Sequence, residues 1–270
     1  MKLRERLQAT HADDGSFRFA LGRELHGAFG GANGGVLAAA CLVAARSLAP
    51  EREPAALDAH FLRGLRAGAA RAVPTLLHRG RTLTFVSVDL FDERGSLCTR
   101  ATVTLVELRA LVTLDAPAES GGWLAHEQGN PWARPSSAVA VPLIDTFDPR
   151  VVGRDERGIA TSTRVLWSEP GTCAEAACIA ADISVGPPVG AATGGRPIPI
   201  PNPDLSLRFN ARSELPQTIV ATARLDSLQA GLALIRIGVY AGRALVASGV
   251  SCTTLLAGAW PDASRTDRAR

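Results

Sequence analysis

Between Phe29 and Pro50 the chain reads FGGANGGVLAAACLVAARSLAP, a Gly-rich entry followed by a run of small and aliphatic residues. That run is about four helical turns long and has no polar face. A helix without a polar face has to be enclosed by protein, and the simplest enclosure for one this short is a curved sheet wrapped around it. The run also falls short of the roughly 20 residues that a bilayer span requires. It therefore reads as a buried central helix, and the rest of the chain has to supply the wrapping.

Composition allows that wrapping and removes several function classes. A chain of 270 residues, 46% hydrophobic and 20% charged, has the make-up of an ordinary soluble globular protein of one large or two small domains. Its net charge is only +3, with no basic cluster, so nucleic acid is not an expected partner. Cys41, Cys98, Cys173, Cys178 and Cys252 form no C-x-x-C pair, which argues against a zinc knuckle or redox pair and for small buried hydrophobes. The first ten residues carry Lys2, Arg4, Glu5 and Arg6 with no apolar core after them, so no secretory signal is read and a cytoplasmic protein is expected. No His, Asp and Glu cluster has metal-ligand spacing, and no G-x-S-x-G elbow or Ser-His-Asp grouping stands out. The glycines of 27–35 lack the Lys-Ser/Thr of a phosphate-binding loop, so close helix packing accounts for them better. No cofactor and no membrane partner is expected.

Hydrophobic period supplies the sheet. Ser16–Leu21 alternates as a short strand ahead of the helix, and Pro50 and Pro54 are read as its end. Leu57–Arg71 reads as a strand, with Phe61 and the stem of Arg63 on alternate faces, continuing through Ala72–His78. A turn at Arg79-Gly-Arg leads to the β-branched strand Thr82–Phe91, and a second turn at Asp92–Gly95 leads to Ser96–Leu108. Residues 109–142 are turn-rich, with Trp123 and Trp132 expected to anchor them on the surface of the fold rather than on a ligand. Then the pattern recurs: a strand over Ile159–Trp167, a small-residue helix over Cys173–Val185, a Gly/Pro passage over Gly186–Pro203, and strands at Asp204–Asn210, Gln217–Leu225, Ala230–Tyr240 and Leu245–Leu256.

The recurrence is visible in letters as well as pattern. HFLRGLRAG around Leu62-Arg63 is echoed by LSLRFNARS around Leu207-Arg208, and residues 95–106 are echoed by residues 243–256. Each copy leaves sheet edges open, and pairing the copies edge to edge closes them. The expectation is an α+β fold of two tandem units forming one continuous curved antiparallel sheet around two central helices. The units are placed at 1–110 and 141–257, joined by a linker at 111–140, with a disordered tail at 258–270.

Five stretches then resemble a known family in their order and spacing: Phe29-Gly30-Gly31-x-x-x-Gly35, His60-Phe61-Leu62-Arg63, Arg79-Gly-Arg-Thr-Leu-Thr, Ala181-Asp182-Ile-Ser-Val-Gly and Asn202-Pro-Asp204-Leu. They resemble the acyl-CoA thioesterase II-like family of double-hotdog thioesterases over roughly residues 15–256, with Gly64 where that family usually has Pro. The resemblance implies hydrolysis of an acyl thioester to free acid and thiol. It also implies an Asp, a Thr and a Gln of the C-terminal hotdog that orient a water on the thioester carbonyl. Those positions fall on Asp182, Asn202 and Ser251. Asn can hold a water much as Thr does, whereas Ser is shorter than Gln and reaches less far. The implied substrate is an acyl-CoA or acyl-carrier-protein thioester, and a homo-oligomer is an implication of the family.

Each residue also has a plainer reading. Asp182 can be a solvated helix-end carboxylate, Asn202 a turn former between Pro201 and Pro203, and Ser251 an ordinary strand serine. His26 and His60 are the other acid–base candidates near motifs, and Arg63, Arg66, Arg79 and Arg81 are candidates for the phosphates of coenzyme A. Two alternatives to hydrolysis therefore stay open: a non-hydrolytic hotdog that binds or cyclises an acyl or polyketide-like ligand, and an enoyl-thioester hydratase or dehydratase.

Overall fold

A computed structural model describes residues 1–66, 68–112, 114, 121–132, 140–210 and 214–258. The expected tail beyond residue 258, and much of the expected linker, lie outside the described residues. The first half runs α1 (Leu3–Arg6), β1 (Thr10–His11), β2 (Phe17–Leu21), α2 (Gly34–Arg46), β3 (Glu53–Phe61), β4 (Gly68–Arg79), β5 (Leu83–Phe91) and β6 (Leu97–Val106). The second runs β7 (Asn130–Pro131), α3 (Pro142–Phe147), β8 (Arg150–Asp155), β9 (Gly158–Arg164), α4 (Cys173–Ser184) and α5 (Gly186–Ala192). It closes with β10 (Asp204–Phe209), β11 (Thr218–Gln229), β12 (Leu232–Ala241) and β13 (Ala244–Thr254).

The strands form a single 13-stranded sheet in the order β1-β2-β4-β5-β6-β3-β10-β13-β12-β11-β9-β8-β7. Every recorded pairing is antiparallel, and the order from β2 to β3 is mirrored from β10 to β9. The two halves meet at the seam between β3 and β10, where Leu57 stands opposite Leu207 and Ala59 opposite Leu205. This is the double-hotdog α+β fold, with α2 and α4 enclosed by the sheet.

Local chemistry explains the two helices. Asn33 caps α2, its side-chain oxygen accepting the Val36 N–H at 3.3 Å. The Ala-rich body has high helix propensity and is buried all round, from Gly35 to Ala45. It stops at Ser47, whose hydroxyl donates to the Ala44 carbonyl at 2.7 Å. The same small-residue content lets α4 approach closely: a Cβ on Gly35 would stand 2.5 Å from the Cys178 carbonyl oxygen and 2.7 Å from Ile179 Cα.

Three sequence-based expectations are corrected. The stretch read as one strand from Leu57 to His78 is two, β3 and β4, with Arg63 in the connection and not on a strand face. The break is chemical: the Leu62 and Arg63 N–H groups both donate to the Cys98 carbonyl, and Gly68 opens β4 at φ +93°, a left-handed conformation that disfavours other residues. Pro54 lies within β3, tolerated at a register shift opposite β6, while the helix ends before it. The Gly/Pro passage after Cys173–Ser184 contains α5, whose prolines at the start of the helix give up no internal hydrogen bond.

Candidate active site

Between the start of α2, the end of α4 and the segments around them lies a cavity of about 840 Å³. Both halves of the chain line it: the 27–34 loop and Phe61–Gly64 from the first, Trp132, Leu143, Ile159 and the 182–202 stretch from the second. Its wall is largely apolar. Among the described residues that line it, Asp182 is the one acid.

Asp182 ends α4, where the helix dipole alone disfavours a carboxylate. The antiparallel approach of α2 changes that balance. Asp182 faces the N-terminus of α2, where the backbone N–H groups of Gly34 and Gly35 favour its charged form. Its Oδ2 accepts from Asn33 Nδ2, and its Oδ1 accepts from Asn202 Nδ2 at 2.8 Å. A Cβ on Gly34 would stand 2.7 Å from Phe61 Cε2 and 3.0 Å from Asp182 Oδ1, and one on Gly35 2.5 Å from the Cys178 carbonyl oxygen and 3.0 Å from Asp182 Cβ, so a side chain at either position crowds this corner. Burial pushes the Asp182 carboxyl above the usual carboxylate range, and the Asn202 and Asn33 hydrogen bonds, with the nearby Gly35 and Gly34 N–H groups, reverse only part of that rise.

Behind Asn202 the network continues. Its side-chain oxygen accepts from Thr253 Oγ1 at 2.8 Å and from Ser251 Oγ. The Ser251 hydroxyl also lies 2.9 Å from the Asp204 carbonyl, and the Asp204 carboxylate accepts the Cys252 N–H at 2.8 Å. Two hydroxyl donors on the oxygen turn the Asn202 amide nitrogen toward Asp182. The structure thus brings Asp182, Asn202 and Ser251 into one chain of hydrogen bonds, in which Ser251, at 0% exposure, stands behind Asn202 rather than on the cavity. Two members escaped the sequence reading. Asn33 was signalled by its residue type just before Gly34-Gly35, a helix-cap position. Thr253 was signalled by its place two residues from Ser251, on the same strand face.

Other candidates fall elsewhere. His26 is buried off the cavity, burial holds its imidazole below the usual range, and its Nε2 is unpartnered. His60 is exposed on β3 and does not line the cavity. Trp123 packs on Tyr240 with ring centroids 4.8 Å apart, but Trp132, expected on the surface, lines the cavity. Burial pushes the Cys41 thiol up to about 12 and the Cys173 thiol up to about 11, the behaviour of packing residues.

A Ser-His-Asp grouping that the sequence did not reveal also forms. Ser162 Oγ lies 3.0 Å from His126 Nδ1, and His126 Nε2 lies 3.2 Å from Asp148 Oδ2. Ser162 is 1% exposed and off the cavity, so its hydroxyl meets no substrate. Burial raises the Asp148 carboxyl, but hydrogen bonds from His126 and Arg150 and the charge of Arg164 bring it below the usual range. The cluster ties β8 and β9 to the preceding segment. Among the described residues no group of three His, Cys, Asp or Glu side chains could hold a metal ion, and no helix is long and apolar enough to cross a membrane.

Comparison with known proteins fits this geometry. Residues 23–106 match the family model described as the acyl-CoA thioesterase N-terminal domain. The tesB protein of Mycobacterium avium subsp. paratuberculosis superposes with a TM-score of 0.74 at 17% identity, over 93% of this chain and 97% of its own. The acyl-CoA thioesterase II TesB2 of Mycobacterium marinum gives 0.72 at 16% identity, over 94% and 97%. A protein of unknown function with a hot dog fold from Alicyclobacillus acidocaldarius gives 0.76 at 19% identity, over 94% and 98%. At such identities the likeness is one of fold. None of the curated proteins compared matches the chain significantly. The family model bears out, over residues 23–106, the acyl-CoA thioesterase resemblance read from the sequence motifs, and the whole-chain likeness bears out the double-hotdog fold.

Proposed function

We propose, on the match of residues 23–106 to the acyl-CoA thioesterase N-terminal domain model, that the chain hydrolyses an acyl-CoA thioester to the free acid and thiol, with Asp182 activating water and Asn202 holding it. The observation that carries this reading is a carboxylate held above its usual range, paired with a carboxamide, on the wall of an apolar cavity. A base serves best when its pKa approaches the working pH, and burial moves Asp182 in that direction.

The acyl chain lies against the apolar wall, with its carbonyl at the Asp182–Asn202 pair. Only one Asn202 N–H is spent on Asp182, and the other is available to the water on the cavity side. Asp182 takes a proton from that water as the oxygen bonds to the carbonyl carbon. The tetrahedral intermediate then breaks its C–S bond, and the proton returns from Asp182 to the departing sulfur. Ser251 and Thr253 touch neither substrate nor water; they fix which way Asn202 faces.

The test is thiol release from short, medium, long and aromatic acyl-CoAs by wild type and by Asp182→Asn, each variant's fold checked by thermal melting. General-base removal is expected to lower kcat/KM by roughly 10²–10⁴-fold. A folded Asp182→Asn protein that keeps the wild-type rate overturns the assignment. Binding of acyl-CoAs without turnover by wild type would establish the non-hydrolytic ligand-binding alternative in its place.

A further inference from the structure

We propose that Trp132, seated on Gly186, is the stop of the acyl pocket and limits the substrate to acyl groups that end about one helical turn from the thioester carbonyl. The proposal rests on the thioesterase reading for one point, that the carbonyl sits at the Asp182–Asn202 pair. The indole sets what fits beyond it.

Backbone register brings Trp132 inside. Where β7 pairs with β8, Asn130 stands opposite Val151 and Pro131 opposite Arg150. Val151 lines the cavity, opposite residues share a face of the sheet, and so do residues two apart on a strand. Trp132 therefore follows Asn130 onto the cavity side. Its backbone N–H extends the pairing by donating to the Pro149 carbonyl at 2.9 Å. The segment ahead of it is tied down as well. His126 meets Ser162 and Asp148, and Arg150 joins the Asp148 carboxylate, at 3.1 Å, to the Gly129 carbonyl, at 3.4 Å. The His126 cluster thus fixes the strap that carries the indole, although no substrate reaches it.

The ring rests on the same helical path that bears the carboxylate. A Cβ on Gly186 would overlap Trp132 Cζ2 and stand 3.3 Å from its Cε2, so the bare glycine backbone gives the indole its seat. Gly186 is the fourth residue after Asp182. Between α4 and α5, Val185 keeps helical angles, φ −66° and ψ −34°. Residues four apart lie one above the other on a helix face, here about 5.4 Å apart along the axis. An alkyl chain leaving the carbonyl along this wall meets a large, rigid ring after a few methylenes.

Calorimetric binding of S-alkyl-coenzyme A thioethers of increasing chain length, which cannot be hydrolysed, tests the stop. For wild type, affinity is expected to rise roughly fourfold per methylene buried and to stop rising where the chain meets the indole. Trp132→Ala moves that break to longer chains. Gly186→Ala, which drives the indole into the cavity, moves it to shorter ones. Both leave unacylated coenzyme A bound as by wild type. Trp123→Phe, on the same segment but packed on Tyr240 away from the cavity, keeps the wild-type break. Thermal melting checks the fold of each variant. An unmoved break in whichever of Trp132→Ala and Gly186→Ala folds, or no break in wild type, overturns the proposal. So does loss of affinity for unacylated coenzyme A in Trp132→Ala, which puts the indole on the thiol arm. The two readings fail separately. A break that follows Trp132 in a protein that hydrolyses no acyl-CoA keeps the stop and removes the thioesterase assignment; hydrolysis lost in Asp182→Asn, with a length preference indifferent to Trp132, does the reverse.

Discussion

Asn202 is oriented entirely from behind. Ser251 and Thr253 both donate to its oxygen, which leaves its nitrogen facing Asp182. The redundancy has a kinetic consequence. Ser251→Ala keeps the Thr253 donor, and the loss of one neutral hydrogen bond predicts a fall in kcat of no more than about tenfold. Removing both hydroxyls frees the amide to flip, and Ser251→Ala with Thr253→Ala should approach the deficit of Asn202→Ala in the same thiol-release assay. A double variant no slower than the single ones would show that the hydroxyls do not set the amide. Sequence alone exposed this site only in part. Asp182 and Asn202 were legible as a carboxylate and an amide at family positions, but Ser251 read as a short substitute for Gln because burial is invisible in a string of letters. Asn33 stayed hidden for a related reason: it lies 149 positions from the carboxylate it serves.

The helices α2 and α4 run antiparallel, and their two shared ends are chemically opposite. At one end the N-terminus of α2 receives Asp182; at the other Arg46 near the end of α2 meets Glu175 in the first turn of α4 at 3.2 Å. Gly35→Ala pushes a methyl into the Cys178 carbonyl, a backbone atom that cannot swing aside, and should cost about 1–3 kcal/mol in urea unfolding. Arg46→Ala should cost more near neutral pH, about 3 kcal/mol, because it strands Glu175, which is 1% exposed with Oε2 already unpartnered. Burial pushes the Glu175 carboxyl above its usual range, with Arg46 pulling it back. A carboxyl whose folded pKa is raised contributes stability below its unfolded pKa and loses it as pH rises through the folded one. Removing Arg46 raises the folded value further. The Arg46→Ala deficit should therefore shrink on acidification and grow toward neutral pH, as melting temperatures across pH can show; a deficit independent of pH contradicts the pairing.

At the scale of the molecule, one sheet and one helix pair span both halves, so neither half can lose its structure without exposing the other's core. Unfolding followed by circular dichroism and by fluorescence of Trp167, itself buried, should give coincident single transitions; two separated transitions would show that the seam between β3 and β10 is weak. The architecture was legible because its signals are local. A small-residue helix followed by a run of alternating strands recurs in both halves, and edge pairing follows from the open edges they leave. What did not show was α5 behind its prolines, the break at Arg63, and the turn of Trp132 into the cavity, each settled by contacts between distant segments. The whole arrangement serves to set a buried carboxylate against a helix N-terminus beside an apolar cavity, and its pH–rate profile is the most direct test. For wild type, kcat/KM for acyl-CoA hydrolysis should rise with pH through an ionisation lying above the roughly 3.9 of an ordinary aspartate, because Asp182, as the base we propose, would work deprotonated and burial raises its pKa. Asp182→Asn should lose both that limb and most of the rate; the same limb at the same position in a folded Asp182→Asn protein would contradict the account.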